Sequence, residues 1–166
     1  MVRIMGVLTC CAILAAAGCG GNTTANSGEV PAPVNLLLPE EIKIHNFTGT
    51  RTFDPRGGLK GIEARIEARD HFGDPNREFG QFRFELYDHR PQASDPKGQL
   101  LVIWDEDLTD PKKNQDHWDA TMGNTYEFRL LWEDPIPVGQ KFVLRVVFTS
   151  PFTPRLFDER TFVSGQ

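Results

Sequence analysis

Asp105-Glu106-Asp107, Asp110, Asp116 and Asp119 place six carboxylates within fifteen residues, with His117 and Trp118 among them. Calcium prefers clustered carboxylate and carbonyl oxygens in loops, so Asp105, Asp107 and Asp110 are the candidate ligands of a calcium site. The twelve-residue calcium loop, with its central glycine and terminal glutamate, is missing, and Lys112 and Lys113 sit inside the cluster. A solvated loop is therefore the favoured reading, with no metal and no cofactor expected. Trp118, amid Asp116, His117 and Asp119, is the one tryptophan that could be exposed, although simple packing under a loop is the favoured reading. It is the candidate to stack on a sugar or to contact a partner. Trp104 ends an apolar run and Trp132 completes an alternating face, which makes both core residues.

Nothing in the chain spells out a catalytic constellation. Ser27, Ser94, Ser150 and Ser164 occur in neither Gly-x-Ser-x-Gly nor Ser-x-x-Lys. His45, His71, His89 and His117 are dispersed, with no His-x-His, His-Glu-x-x-His or cysteine partner. Paired acids for glycoside hydrolysis would have to meet in space, and no spacing points to such a pair. The expectation is a binding protein and no enzyme. A net charge of −5 and a pI near 5.4 also make nucleic acid an unsuitable partner, since affinity for phosphate rests on basic side chains.

The elements that must position these residues read as strands. All seventeen aromatic residues lie between Phe47 and Phe162, a region without sustained 3.6-residue periodicity. Ile62-Glu63-Ala64-Arg65-Ile66-Glu67-Ala68-Arg69 alternates strictly. A helix would pair Glu63 with Glu67 and Arg65 with Arg69, like charge on like, whereas a strand has one apolar face and one ion-pairing face. Phe82, Phe84 and Leu86 share a face, as do Tyr126, Phe128, Leu130 and Trp132, and Phe142, Leu144, Val146 and Phe148. The continuous run Leu100 to Trp104 fits a more deeply buried strand. Weaker candidates are Glu41 to His45, His117 to Thr121, and Leu156 to Val163. About eight strands without a convincing amphipathic helix predict an all-β, antiparallel sandwich of seven to nine strands over residues 39–166. Five prolines follow aspartate (Pro55, Pro75, Pro96, Pro111 and Pro135) and lie between strands or beside them. There the fixed proline φ and the aspartate carboxylate make turns.

The first residues are of another kind. Arg3 precedes an apolar stretch from Ile4 to Ala17, and small residues then lead to Cys19. This is the layout of an export signal, too short to span a bilayer comfortably. The run Leu14-Ala15-Ala16-Ala17-Gly18-Cys19 resembles the lipobox of bacterial prolipoproteins, with Ala16 where that family prefers leucine. The resemblance implies cleavage after residue 18 and a diacylglycerol on the Cys19 thiol. Loss of the signal also removes Cys10 and Cys11, leaving Cys19 as the single cysteine, and shifts the net charge to −6. An acidic chain has no electrostatic hold on anionic lipid, so attachment would rest on the acyl chains. Residues 19–38 then form a lipidated tether. Its polar, glycine-rich first half should be flexible, with an r.m.s. reach on the order of 20 Å for about 15 residues. Gly20 stands where aspartate would signal inner-membrane retention in this family, so the resemblance implies the outer membrane.

Ile62 to Tyr87 runs strand, Asp70-His71-Phe72-Gly73-Asp74-Pro75, Gly80, strand. It resembles bacterial immunoglobulin-like domains, in which a strand ends in Asp-x-x-Gly-(Asn or Asp)-Pro. Gly73 can take the positive φ of the turn, and Asp70 can bond across it. The resemblance implies a two-sheet immunoglobulin-like sandwich for spacing, adhesion or assembly, with no catalytic residues. The leading expectation is thus a membrane-tethered envelope lipoprotein that binds or scaffolds another envelope protein. The alternative is a carbohydrate- or calcium-binding module using Asp105 to Asp119, and an envelope enzyme stands last.

Overall fold

The computed structural model describes residues 34–54, 56–57 and 60–165. The signal segment, most of the tether and Cys19 lie outside the described residues. After a 3₁₀ turn at Val34–Leu37 come nine strands: β1 (Glu41–Ile44), β2 (Gly49–Thr52), β3 (Lys60–Arg69), β4 (Gln81–His89), β5 (Lys97–Asp107), β6 (Trp118–Asp119), β7 (Thr125–Leu131), β8 (Lys141–Thr149) and β9 (Leu156–Val163). One helix, α1 (Pro111–His117), stands between β5 and β6. The strands form two antiparallel sheets. The first runs β1-β3-β7-β6, with β2 also on β3, and the second runs β5-β4-β8-β9. With β3 as strand B and β4 as strand C, this is the A-B-E-D and C′-C-F-G order of an immunoglobulin-type sandwich.

Alternation dictates the core. In β3, Ile62, Ala64, Ile66 and Ala68 are buried, while Glu63, Arg65, Glu67 and Arg69 form the ion-pairing face, with Arg65 to Glu63 at 3.2 Å and Arg69 to Glu67 at 2.7 Å. Phe82, Phe84 and Leu86 of β4 meet Tyr126, Phe128 and Leu130 of β7 and the even-numbered face of β8, all buried. The Phe82 ring lies 4.8 Å from Phe148 and 5.3 Å from Phe128, and Phe84 lies 4.8 Å from Phe128. Tilted pairs of this kind add about 0.5–1.5 kcal/mol each beyond the area they bury.

The Asp-Pro turns form as expected at several places. Asp54 accepts the Arg56 amide at 2.8 Å and Asp95 the Lys97 amide at 3.0 Å. Gly73 has φ +82°, and Asp70 Oδ1 accepts the amides of Phe72 and Asp74. Two expectations fail. The run Leu100 to Trp104 is not deeply buried: among the described residues β5 has a neighbour on one side only, and Leu100, Leu101 and Ile103 stay 37–42% exposed. Residues 111–117 form a helix, and only Trp118–Asp119 of the expected strand 117–121 pairs in a sheet. The helix forms because Asp110 accepts the Lys112 and Lys113 amides and Pro111 opens the first turn with its φ already set.

Candidate functional site

The fold separates the acidic residues that are dense in sequence. Asp105 points to the outer face of the second sheet and forms a two-pronged pair with Arg83, 2.7 and 3.1 Å. Asp107 closes a turn by accepting the amide and hydroxyl of Thr109 at 2.9 and 2.7 Å. Asp110 caps α1. Each carboxylate already has its own donors, and these interactions hold the acids of Asp105 and Asp107 below the usual carboxylate range. The three do not converge, and among the described residues no three acidic, histidine or cysteine side chains are arranged to hold a metal ion.

Asp119 belongs elsewhere. It accepts from Thr121 and from Arg65 Nη1 at 2.9 Å, which lowers its pKa strongly. Arg65 also reaches Glu127 and Glu63, so one guanidinium ties three carboxylates on the face of the first sheet. Burial opposes the charge of Arg65, but the hydrogen bonds to Asp119 and Glu63 and the field of Glu127 outweigh it and hold its pKa above the ordinary value. Beside this cluster lies an open hollow bordered by Glu106, His117, Trp118, Asp119, Glu127 and Arg129. His117 donates from Nδ1 to the Glu127 carbonyl at 2.8 Å, because a carbonyl can only accept.

Trp118 packs under the loop from β3 to β4, the favoured of its two readings. It is half-buried against the core, edge-on to Tyr126 at 5.0 Å, with the Arg77 guanidinium 5.0 Å from its ring centre. Arg77 lies over one face of the ring, and Trp118 also borders the hollow beside His117. Tyr126 in turn leads to a residue that spacing does not reveal. The Tyr126 hydroxyl accepts from the Glu78 amide at 2.7 Å and donates to Asn114 Oδ1 at 3.0 Å. Glu78 is 2% exposed, and neither of its carboxyl oxygens has a hydrogen-bond partner among the described residues. Burial, with repulsion from Asp70, pushes its carboxyl up to about 8, so it is neutral at pH 7. In the sequence Glu78 is one more charged residue of a loop.

The seam between the two sheets is asymmetric. On one flank β1 and β9 close it, with the Ile44 amide donating to Asp158 Oδ2 at 2.7 Å. On the other flank β6 is two residues long, and β7 and β5 are joined through side chains. Trp104 Nε1 of β5 donates to the Leu131 carbonyl of β7 at 2.7 Å, and the His117 bond to Glu127 ties α1 to the same strand. Beyond that seam β5 pairs only with β4 among the described residues. Gly80 and Leu108 share the ladder bond that ends the β4–β5 hairpin, Leu108 N to Gly80 O at 2.9 Å. By strand alternation the backbone of Ile103, Asp105 and Asp107 therefore points away from β4, toward the open side. The exposed side chains of Leu100, Leu101 and Ile103 border this edge.

No protein-family model matches the chain, and no curated protein and no solved structure is similar to it.

Proposed function

We propose that this protein is a lipid-anchored binding module of the bacterial cell envelope. Acyl chains on Cys19 hold it at the outer membrane, and its sandwich recruits another envelope protein by adding a strand to β5. The observation that carries this reading is the β5 edge: eleven residues, Lys97–Asp107, paired on one side and apolar at their exposed middle. An edge of this length with outward-facing leucine and isoleucine is a template for β-addition unless it is covered. Glu106 is half-buried and Asp105 and Asp107 are exposed at its far end. A fitting partner segment is extended, with alternating apolar side chains and a basic residue where it passes these acids.

A photo-crosslinking amino acid at Ile103, in cells that express the protein, should yield a discrete adduct with an envelope protein. Ile103→Lys should reduce recovery of that partner at least tenfold without altering the melting temperature, because the side chain is exposed and lysine protects strand edges. Undiminished recovery with Ile103→Lys would refute strand addition at β5.

A further inference from the structure

Large exposed apolar side chains are unevenly placed on the sandwich. Register puts the end of β3, the start of β4, the start of β7, the end of β8 and the start of β1 at one end: Glu41 pairs with Arg69, Gln81 with Thr149, and Tyr126 with Ile66. The loops at this end carry Phe72 (63% exposed), Phe79 (47%), Met122 (45%) and Phe152 (46%), with Val34 and Leu37 of the 3₁₀ turn beside them. Among the described residues of the opposite end, only Leu131 and Val138 are comparable. The Phe79 and Phe152 rings lie 5.8 Å apart, joining the β3–β4 and β8–β9 loops in one patch. The loops are braced from beneath, so the rings cannot simply fold inward. His71 N donates to Leu36 O at 3.3 Å, the Glu78 amide is fixed by Tyr126, and Asn114 of α1 holds Tyr126 and donates to Leu108 O at 3.1 Å.

The chain itself says what covers this patch. The described residues begin at Val34, at this same end, and Cys19 is fifteen positions earlier. Fully extended, that length spans about 50 Å at most. An anchor entering here draws this end to the bilayer, and the Val138 end away from it. We propose that this end is a lipid-contacting surface: Phe72, Phe79, Phe152 and Met122 enter the boundary between headgroups and acyl chains. This rests on the anchoring reading above. Arg77 and Arg155 are exposed beside Phe79 and Phe152, and Asp74 and Glu40 are exposed near Phe72. The charges nearly balance, so insertion is apolar and indifferent to salt. Held this way, the strands stand upright on the membrane, and the β5 edge is open to partners from the side.

The test uses the full-length mature protein in vesicles of phosphatidylethanolamine and phosphatidylglycerol with a brominated-chain phospholipid. A bimane fluorophore is attached to Phe72→Cys, Phe152→Cys or Val138→Cys. Quenching at 72 and 152 should exceed that at 138 at least threefold, and 0.5 M salt should not change it. Equal or absent quenching at all three sites overturns the proposal. So does shielding of position 72 seen only in intact envelopes, which is protein contact, or only at high protein concentration, which is self-association. Labelling of the unsubstituted protein separates the two readings, because a free Cys19 takes up bimane and an acylated one does not. Should Cys19 prove free, the same three sites are compared in a Cys19→Ser background, where stronger quenching at 72 and 152 still upholds the lipid-contacting end.

Discussion

Glu78 is the residue whose chemistry departs furthest from its exposed counterpart. A carboxyl with a folded pKa near 8 and an unfolded pKa near the ordinary 4.5 is protonated in the folded state and ionised in the unfolded state between those values. Unfolding there releases a proton, so stability from this group falls as pH rises from about 4.5 to about 8, and is flat outside that window. The slope is on the order of 1 kcal/mol per pH unit. Glu78→Gln keeps the shape and removes the ionisation. The variant should melt higher than the wild type at pH 8, with the difference vanishing near pH 4.5, as thermal denaturation across pH would show. Identical pH dependence in the two proteins would place the Glu78 carboxylate in water. Its neighbour Tyr126, which burial pushes up to about 12, takes no part in this window.

At the scale of elements, β3 is the strand on which the first sheet depends, since β1, β2 and β7 all pair with it. Gly61 sits where β7 approaches most closely: a Cβ there would lie 2.1 Å from the Leu130 carbonyl oxygen. A backbone atom cannot yield as a flexible side chain can. Gly61→Ala should therefore separate β3 from β7 locally and destabilise the protein by about 1–3 kcal/mol, read from the midpoint of urea unfolding. An unchanged midpoint would mean that the two strands slide past the added methyl at no cost. The alternation of β3, β4, β7 and β8 was legible because each turns its largest apolar side chains to one face, and a period of two leaves no other way to hide Ile62, Phe84 or Leu144 together. The helix was not legible for a definite reason: Asp110-Pro111 is the same device as the turns at Asp54 and Asp95. At Asp110 the carboxylate accepts two successive amides, of Lys112 and Lys113, and the chain continues into α1.

For the whole molecule the decisive experiment concerns Cys19. The anchoring proposed above requires acyl chains, because the chain left by the proposed cleavage would carry a net charge of −6, and residues 19–38 contain no basic side chain to hold anionic lipid. Two or more chains give durable binding at about 0.8 kcal/mol per buried CH₂, where one is marginal. Cys19→Ala should abolish labelled-palmitate incorporation and the lipoprotein-type cleavage, leaving an uncleaved or wrongly cleaved precursor. A wild-type protein that takes up no palmitate and stays in the aqueous phase of a detergent partition would instead be a secreted sandwich. In that case the β5 edge would still be open, and its strand-addition test would stand.

What the amino-acid order determined by itself is what depends on neighbours in sequence. The alternating faces, the Asp70–Gly73 turn and the aspartate caps follow from local sterics and from apolar side chains leaving water. What only the tertiary structure decided is which of these strands has a neighbour on both sides. Leu100 to Trp104 is as apolar as a central strand, yet it lies at an edge because among the described residues only β4 pairs with it. Asp105, Asp107 and Asp110 are close in sequence, yet a strand, a turn and a helix cap aim them apart. Glu78 looks like a surface residue and is packed against Tyr126, because the loop from β3 to β4 folds over the end of the core. Burial and edge position depend on which distant segments arrive, and a chain read one residue at a time does not contain that arrival.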